Sequence, residues 1–298
     1  YEAAIADYDE AIKLNPEDAD YYNNRGNAKY YLGKQEEAIA DYNEAIKRDS
    51  EYASYYFNRG NAKYDLEKYE AAIADYNEAI KRNSENAVYY SNRGNAKYDL
   101  EKYEEALEDY SKAIDWDKKN SEYYALRGKT KSKLRRYVEA LDDYNNAIDL
   151  DKNIETNYFM RGVLRYVLNQ KEEAIADYTE AIERNPNKDF YYFCRGRIYF
   201  DLEEYQNAIN DLDRAINLNH DRADYYAKRG SAKALLNENE AALKDYNEAI
   251  RLDGSQFNYY FSRGVIYYVL KKYNEAIADY NVAIDKNSLE AEVYAFRG

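Results

Sequence analysis

The stretch Tyr55-Tyr56-Phe57-Asn58-Arg59-Gly60-Asn61-Ala62-Lys63-Tyr64 decides the fold, because its Arg-Gly pair returns at one fixed interval of 34 residues. Gly26, Gly60, Gly94, Gly128, Gly162, Gly196, Gly230, Gly264 and Gly298 each follow an Arg, with no insertion or deletion between them. A period of that length marks a repeat array, in which each repeat stacks on its neighbours. The expectation is one elongated solenoid over residues 1–298 rather than the two domains that such a length would otherwise suggest. Two Pro and eleven Gly, nine of them at the repeat position, leave nothing for a flexible linker.

With the recurring Gly as position 8, eight complete repeats span 19–52, 53–86, 87–120, 121–154, 155–188, 189–222, 223–256 and 257–290. Residues 1–18 are the second half of an earlier repeat, and 291–298 open a ninth. Positions 2–14 and 18–30 read as helices rich in Ala, Leu, Ile, Glu and Lys. So short a connection makes the two an antiparallel hairpin. Position 4 is Tyr, 14 is Leu, 20 and 27 are Ala and 28 is Ile in all eight repeats. At about 100° per residue, positions 4, 7, 8, 11 and 14 share one side of the first helix, and 20, 21, 24, 27 and 28 one side of the second. These sides are the expected core.

The pattern resembles the tetratricopeptide repeat. Its large aromatic at 4, Gly at 8, Ala at 20, aromatic at 24 and Ala at 27 are met by Tyr56, Gly60, Ala72, Tyr76 and Ala79, and by nearly every other repeat; the sixth departs with Leu212 at 24. The chain differs from the common pattern in having Arg at 7, Lys or Arg at 11 in six repeats, and a closing Pro only at Pro16 and Pro186. The resemblance implies an all-α, right-handed superhelical solenoid of helix hairpins whose first helices line a concave groove, and a role in holding other proteins or peptides.

Elementary packing stands beside that likeness. A Gly inside a helix costs about 1 kcal/mol relative to Ala, so its return in every repeat means that something occupies the space of a methyl group. Arg at 7 and Asp at 23 recur together, as Arg25 with Asp41, Arg59 with Asp75 and Arg93 with Asp109. Counted outward from the hairpin turn they sit at one level. An ion pair is expected there, within a repeat or between neighbours and partly buried beside the Gly, fixing register more than adding stability.

Function belongs on the faces that the core leaves over. Positions 18, 19, 22, 25, 26 and 29 of the second helix hold 27 charged residues in 48 and no aromatic ring, which is a solvated face. Positions 2, 5, 6, 9, 12 and 13 of the first helix hold only 10 charged residues in 48 and 12 aromatics. That contrast points to a binding groove, against the alternative that the rings pack on neighbouring repeats. Its early part carries Asn24, Asn58 and Asn92 at position 6, Asn27, Asn61 and Asn95 at position 9, and Tyr30, Tyr64 and Tyr98 at position 12. Amides that both donate and accept can hold an extended peptide by its backbone, and rows of this kind resemble the asparagine ladders of some tetratricopeptide proteins. The other reading is that Asn is simply tolerated at an exposed site. Phe57 already sits in this part, and the later part is richer in rings, with Phe159, Met160, Tyr166, Phe193, Phe200, Phe261 and Tyr268, beside Cys194. These either anchor apolar side chains of a partner or bury against an adjacent helix. A two-carboxylate clamp is not supported, since Val88 and Asn92 stand where its basic residues would fall.

The net charge of −14 disfavours nucleic acid and anionic membranes as partners. No apolar run approaches the roughly 18 residues that span a bilayer. One Cys excludes an internal disulfide and fits a reducing, cytoplasmic setting. His220 is the single histidine, so no triad, zinc spacing or phosphate loop arises, and no catalytic residue, metal or cofactor is expected. The reading is a non-enzymatic scaffold for protein or extended peptide. The alternatives are the recognition segment of a larger enzyme or regulatory protein, and end-to-end self-association through apolar ends such as Ile5, Tyr8 and Ile12.

Overall fold

The computed structural model describes residues 1–286; the opening of a ninth repeat at 291–298 lies outside the described residues. The described residues form seventeen helices and no strand. The chain divides into two compact parts, an N-terminal half, Tyr1–Lys152, and a C-terminal half beginning at Asn153. The N-terminal half contains α1 (Glu2–Leu14), α2 (Ala19–Tyr31), α3 (Gln35–Arg48), α4 (Ala53–Asp65), α5 (Tyr69–Arg82), α6 (Ala87–Asp99), α7 (Tyr103–Trp116), α8 (Ser121–Lys133) and α9 (Tyr137–Leu150). The C-terminal half contains α10 (Glu155–Val167), α11 (Lys171–Arg184), α12 (Asp189–Asp201), α13 (Tyr205–Leu218), α14 (Ala223–Leu235), α15 (Asn239–Leu252), α16 (Phe257–Val269) and α17 (Tyr273–Lys286). Even-numbered helices are the first of a repeat and odd-numbered ones the second. The fold is an all-α solenoid of antiparallel helix hairpins.

Local chemistry starts and stops these helices. The side chains of Asp18, Asn86 and Asn120 cap α2, α6 and α8 by accepting from a backbone N–H two residues on. Second helices open with acidic pairs such as Glu36 and Glu37 and several close with Lys-Arg, which suits the helix dipole at both ends. Between the two helices the chain turns through one left-handed residue, Gly33 (φ 77°) in the first repeat and Glu67 (φ 58°), Glu101, Arg135, Asn169, Glu203, Asn237 and Lys271 in the others. The backbone N–H groups of Glu67 and Lys68 then donate to the carbonyls of Tyr64 and Lys63 at 2.8 and 2.9 Å, closing the end of α4.

The core has more contributors than one helical side predicts. Ala72 and Ala79 of α5 are fully buried, and the ring of Tyr76 lies so close to Gly60 that a methyl group there would stand 2.8 Å from it. Two further positions of the first helix are buried as well. Tyr55, Tyr89 and Tyr123 at position 3 pack on Ala45, Ala79 and Ala113 of the preceding second helix. Ala62, Ala96 and Ile198 at position 10 pack on Tyr42, Tyr76 and Tyr178. Each such first helix is thus held from two directions, by its own partner and by the hairpin before it. Successive first helices also touch, α2 with α4, α4 with α6, α12 with α14 and α14 with α16, so they form the inner side of each half.

Candidate functional site

The inner side rests on a repeated electrostatic frame. Arg59 of α4 donates to Asp75 of α5 in two parallel bonds, Nε to Oδ2 at 2.9 Å and Nη2 to Oδ1 at 2.6 Å. The same fork joins Arg25 to Asp41, Arg93 to Asp109, Arg127 to Asp143, Arg161 to Asp177, Arg195 to Asp211, Arg229 to Asp245 and Arg263 to Asp279. These carboxylates are buried, and in six repeats a second cation meets them, as Lys63 does Asp75 at 2.7 Å. The remaining Arg nitrogen, Nη1, reaches back to position 25 of the repeat before: Arg59 to Asn43, Arg93 to Asn77 and Arg229 to Asp213, each at 2.6 Å. One guanidinium therefore fixes a hairpin internally and ties it to its neighbour, a bidentate and directional task for which Lys has no equivalent geometry.

The Asn residues of the inner side are half-buried and already engaged with the frame. At position 9, Asn27, Asn61 and Asn95 accept from the hydroxyls of Tyr42, Tyr76 and Tyr110 at 2.9, 2.9 and 2.8 Å. Burial holds those phenols protonated, so each needs such an acceptor. At position 6, Asn58 donates to Asn23 at 2.9 Å and Asn92 to Asn61 at 3.0 Å, while Asn24 accepts from Asn23 at 3.3 Å. Each amide of the row thus already has a partner within the protein.

The rings divide into two groups. At position 5, Phe57 packs between Tyr76 and Tyr89, Phe159 between Tyr178 and Tyr191, and Phe261 against Tyr280. Phe193 is buried, its centroid 4.6 Å from that of Tyr225, so it presents almost no surface to a partner. At position 12 the rings of Tyr30, Tyr64, Tyr98, Tyr166 and Phe200 are half-buried and Tyr268 is exposed. Tyr64 donates its hydroxyl to Asp99 and Tyr166 to Asp201, at 2.7 Å for the latter. Met160 is half-buried between these groups.

Two cavities open on this side of the N-terminal half. One, about 230 Å³, is lined by Tyr30, Asn61, Tyr64, Asp65, Tyr76, Asn92 and Asn95. The other, about 220 Å³, is lined by Tyr64, Asn95, Tyr98, Asp99, Tyr110, Leu126 and Lys129. They share Tyr64 and Asn95, so they adjoin. Asp65, Asp99, Leu126 and Lys129 were not singled out from the sequence; their positions, 13, 6 and 9, lie on the same stripe, and only their departure from Asn or Tyr distinguished them. A larger cavity, about 730 Å³, lies between α7, α8 and the start of α9, where Glu104 pairs with Arg136 and Arg127 and Lys131 hold Asp143. Several of its charges are already answered by one another.

Among the described residues nothing on this side resembles an activated nucleophile. Burial pushes the Cys194 thiol up to about 12, the opposite of what catalysis requires, and His220 is exposed in a loop beside Asp221. Among the described residues no group of His, Cys, Asp and Glu could hold a metal ion, and no helix is long and apolar enough to cross a membrane.

Comparison with protein families matches a TPR repeat model to residues 1–33, 26–66, 60–101, 94–135, 196–237 and 232–270, and tetratricopeptide repeat models to 121–154, 156–188 and 257–285. Comparison with curated proteins gave no match. Among solved structures, the C-terminal part of a TPR repeat-containing protein from Cytophaga hutchinsonii superposes with a TM-score of 0.70 at 18% identity, over 81% of this chain and 99% of that one. A tetratricopeptide repeat protein from Parabacteroides merdae gives 0.59 at 19% identity, over 89% and 97%. YrrB, described as a TPR protein with an unusual peptide-binding site, gives 0.53 at 26% identity, over 60% of this chain and 92% of its own.

Proposed function

The chain belongs to the tetratricopeptide repeat family, and on that premise we propose that it is a protein-interaction scaffold holding an extended segment of a partner along the inner side of its first helices. The observation that carries this reading is the pair of adjoining cavities lined by Asn amides and Tyr rings in the N-terminal half. An extended chain offers a carbonyl and an N–H at every residue, and side-chain amides answer both without regard to sequence. Rings at position 12 supply broad apolar contact at small entropic cost. The peptide-binding site of YrrB agrees with such a use of the fold. The half-buried, unactivated thiol of Cys194 and the exposed His220 favour holding over catalysis.

The test is a chain in which Asn24, Asn58 and Asn92 are all replaced by Ala, titrated with labelled extended peptides. Weaker binding with a nearly unchanged unfolding midpoint supports the groove. Binding untouched in a destabilised protein would show these amides to be part of the frame alone.

A further inference from the structure

Resting on the peptide-groove reading, we infer that the cavity bounded by Tyr30, Tyr64, Asp65 and Tyr76 takes a Lys or Arg side chain of the bound segment. In three places the ring at position 12 already carries a cation supplied by the first helix of the next repeat. Lys129 Nζ lies 4.4 Å from the centroid of Tyr98, Lys228 Nζ lies 4.3 Å from that of Phe200, and Arg197 stands 5.8 Å from that of Tyr166. Such placements are attractive because the ring face is electron-rich. Where the next repeat supplies Asn58 and Asn61, behind Tyr30, or Asn92 and Asn95, behind Tyr64, no cation among the described residues stands over the ring.

Those two uncovered rings meet in one cavity, and it also holds a carboxylate. Asp65 is exposed and enters no ion pair among the described residues, and burial together with the nearby Asp65 carboxylate holds the Tyr30 phenol protonated. The neighbouring cavity has the same plan, with Asp99 in place of Asp65, but contains Lys129. Side by side, the two show an occupied and a vacant version of one arrangement: aromatic walls, an Asp at position 13, and room for one positive charge. A basic side chain entering the vacant version gains both ring and carboxylate, whereas an acidic one meets Asp65 on a chain of net charge −14.

The experiment uses the full chain and fluorescein-labelled short peptide mixtures, with uncharged randomised flanks and a central residue fixed as Lys, Arg, norleucine or Glu. Binding is followed by fluorescence polarisation at low ionic strength. The Lys and Arg mixtures are expected to bind about tenfold more tightly than the norleucine mixture, with Glu weakest. Asp65→Asn should remove that preference. Asn61→Lys, which gives the second repeat the residue that the fourth already carries at the same position, should fill the cavity from within and remove it too, with circular dichroism reporting that the protein stays helical. Glu70→Gln, an equal change of charge on an exposed second-helix residue, should retain it. A preference that survives both Asp65→Asn and Asn61→Lys, or one lost equally in Glu70→Gln, overturns the site. Tight binding of every mixture without preference overturns this site but leaves the groove standing; binding of none overturns both.

Discussion

Arg59 with Asp75 in the N-terminal half and Arg195 with Asp211 in the C-terminal half meet in nearly one geometry, Nη2 to Oδ1 at 2.6 and 2.8 Å. Two residues beyond each Arg the halves part company, Asn61 standing in one and Arg197 in the other. Position 6 changes likewise, from Asn24, Asn58 and Asn92 to Met160, Cys194, Lys228 and Ser262. The frame is constant and the inner side varies because the forks, the Gly-Tyr contact and the Ala pairs already fix how hairpins stack. What remains on the inner face is free to differ from repeat to repeat without disturbing its neighbours.

The hardest blow to this comparison is to remove one arm of the frame in each half. Asp75→Ala and Asp211→Ala should each cost about 3–5 kcal/mol, since either leaves a partly buried guanidinium unanswered. Denaturant unfolding fitted as a nearest-neighbour array measures both, and a loss confined to one half would mean that the frame is not shared. Phe193→Ala should cost about 3 kcal/mol, because that ring is buried against Tyr225 rather than offered to a partner. Gly60→Ala should destabilise by about 1–3 kcal/mol, as the methyl group must displace the Tyr76 ring. Gly196→Ala, facing Leu212 at 3.5 Å where the other repeats have a ring, should cost less; equal losses would remove the ring as the reason for Gly. The smallest effect belongs to Tyr268→Ala, at most about 0.5 kcal/mol for an exposed ring.

Much of this was legible in the sequence. The period, the hairpins, the side of each helix bearing Gly and Ala, and the proximity of Arg at 7 to Asp at 23 follow from spacing and helical geometry. Positions 3 and 10 were missed because a periodicity argument assigns one buried side to each helix. In a stack a first helix also meets the hairpin before it, and Tyr at 3 in every repeat but the fifth, where Asn157 stands, was the available signal. The third contact of each Arg was missed for the same reason, being between repeats. Composition counted Phe193 with the groove because an inward ring and a packed ring look alike until neighbours are placed. Asn at position 9 reads as a peptide ladder or as tolerated exposure, yet its carbonyl also answers a buried phenol, a partner fifteen residues away that only the hairpin brings close.

The left-handed residue between paired helices has a consequence for tuning. Glycine fills that position once; elsewhere Glu, Arg, Asn or Lys sits where an L side chain is crowded by its own carbonyl, at a cost of about 1–2 kcal/mol apiece. These seven joints lie outside both the stacking surfaces and the inner wall. Converting them to Gly one at a time would relieve that strain while freeing the unfolded chain, so that stability could be set in small, separable steps like a row of independent dials while the residues facing a partner stay as they are.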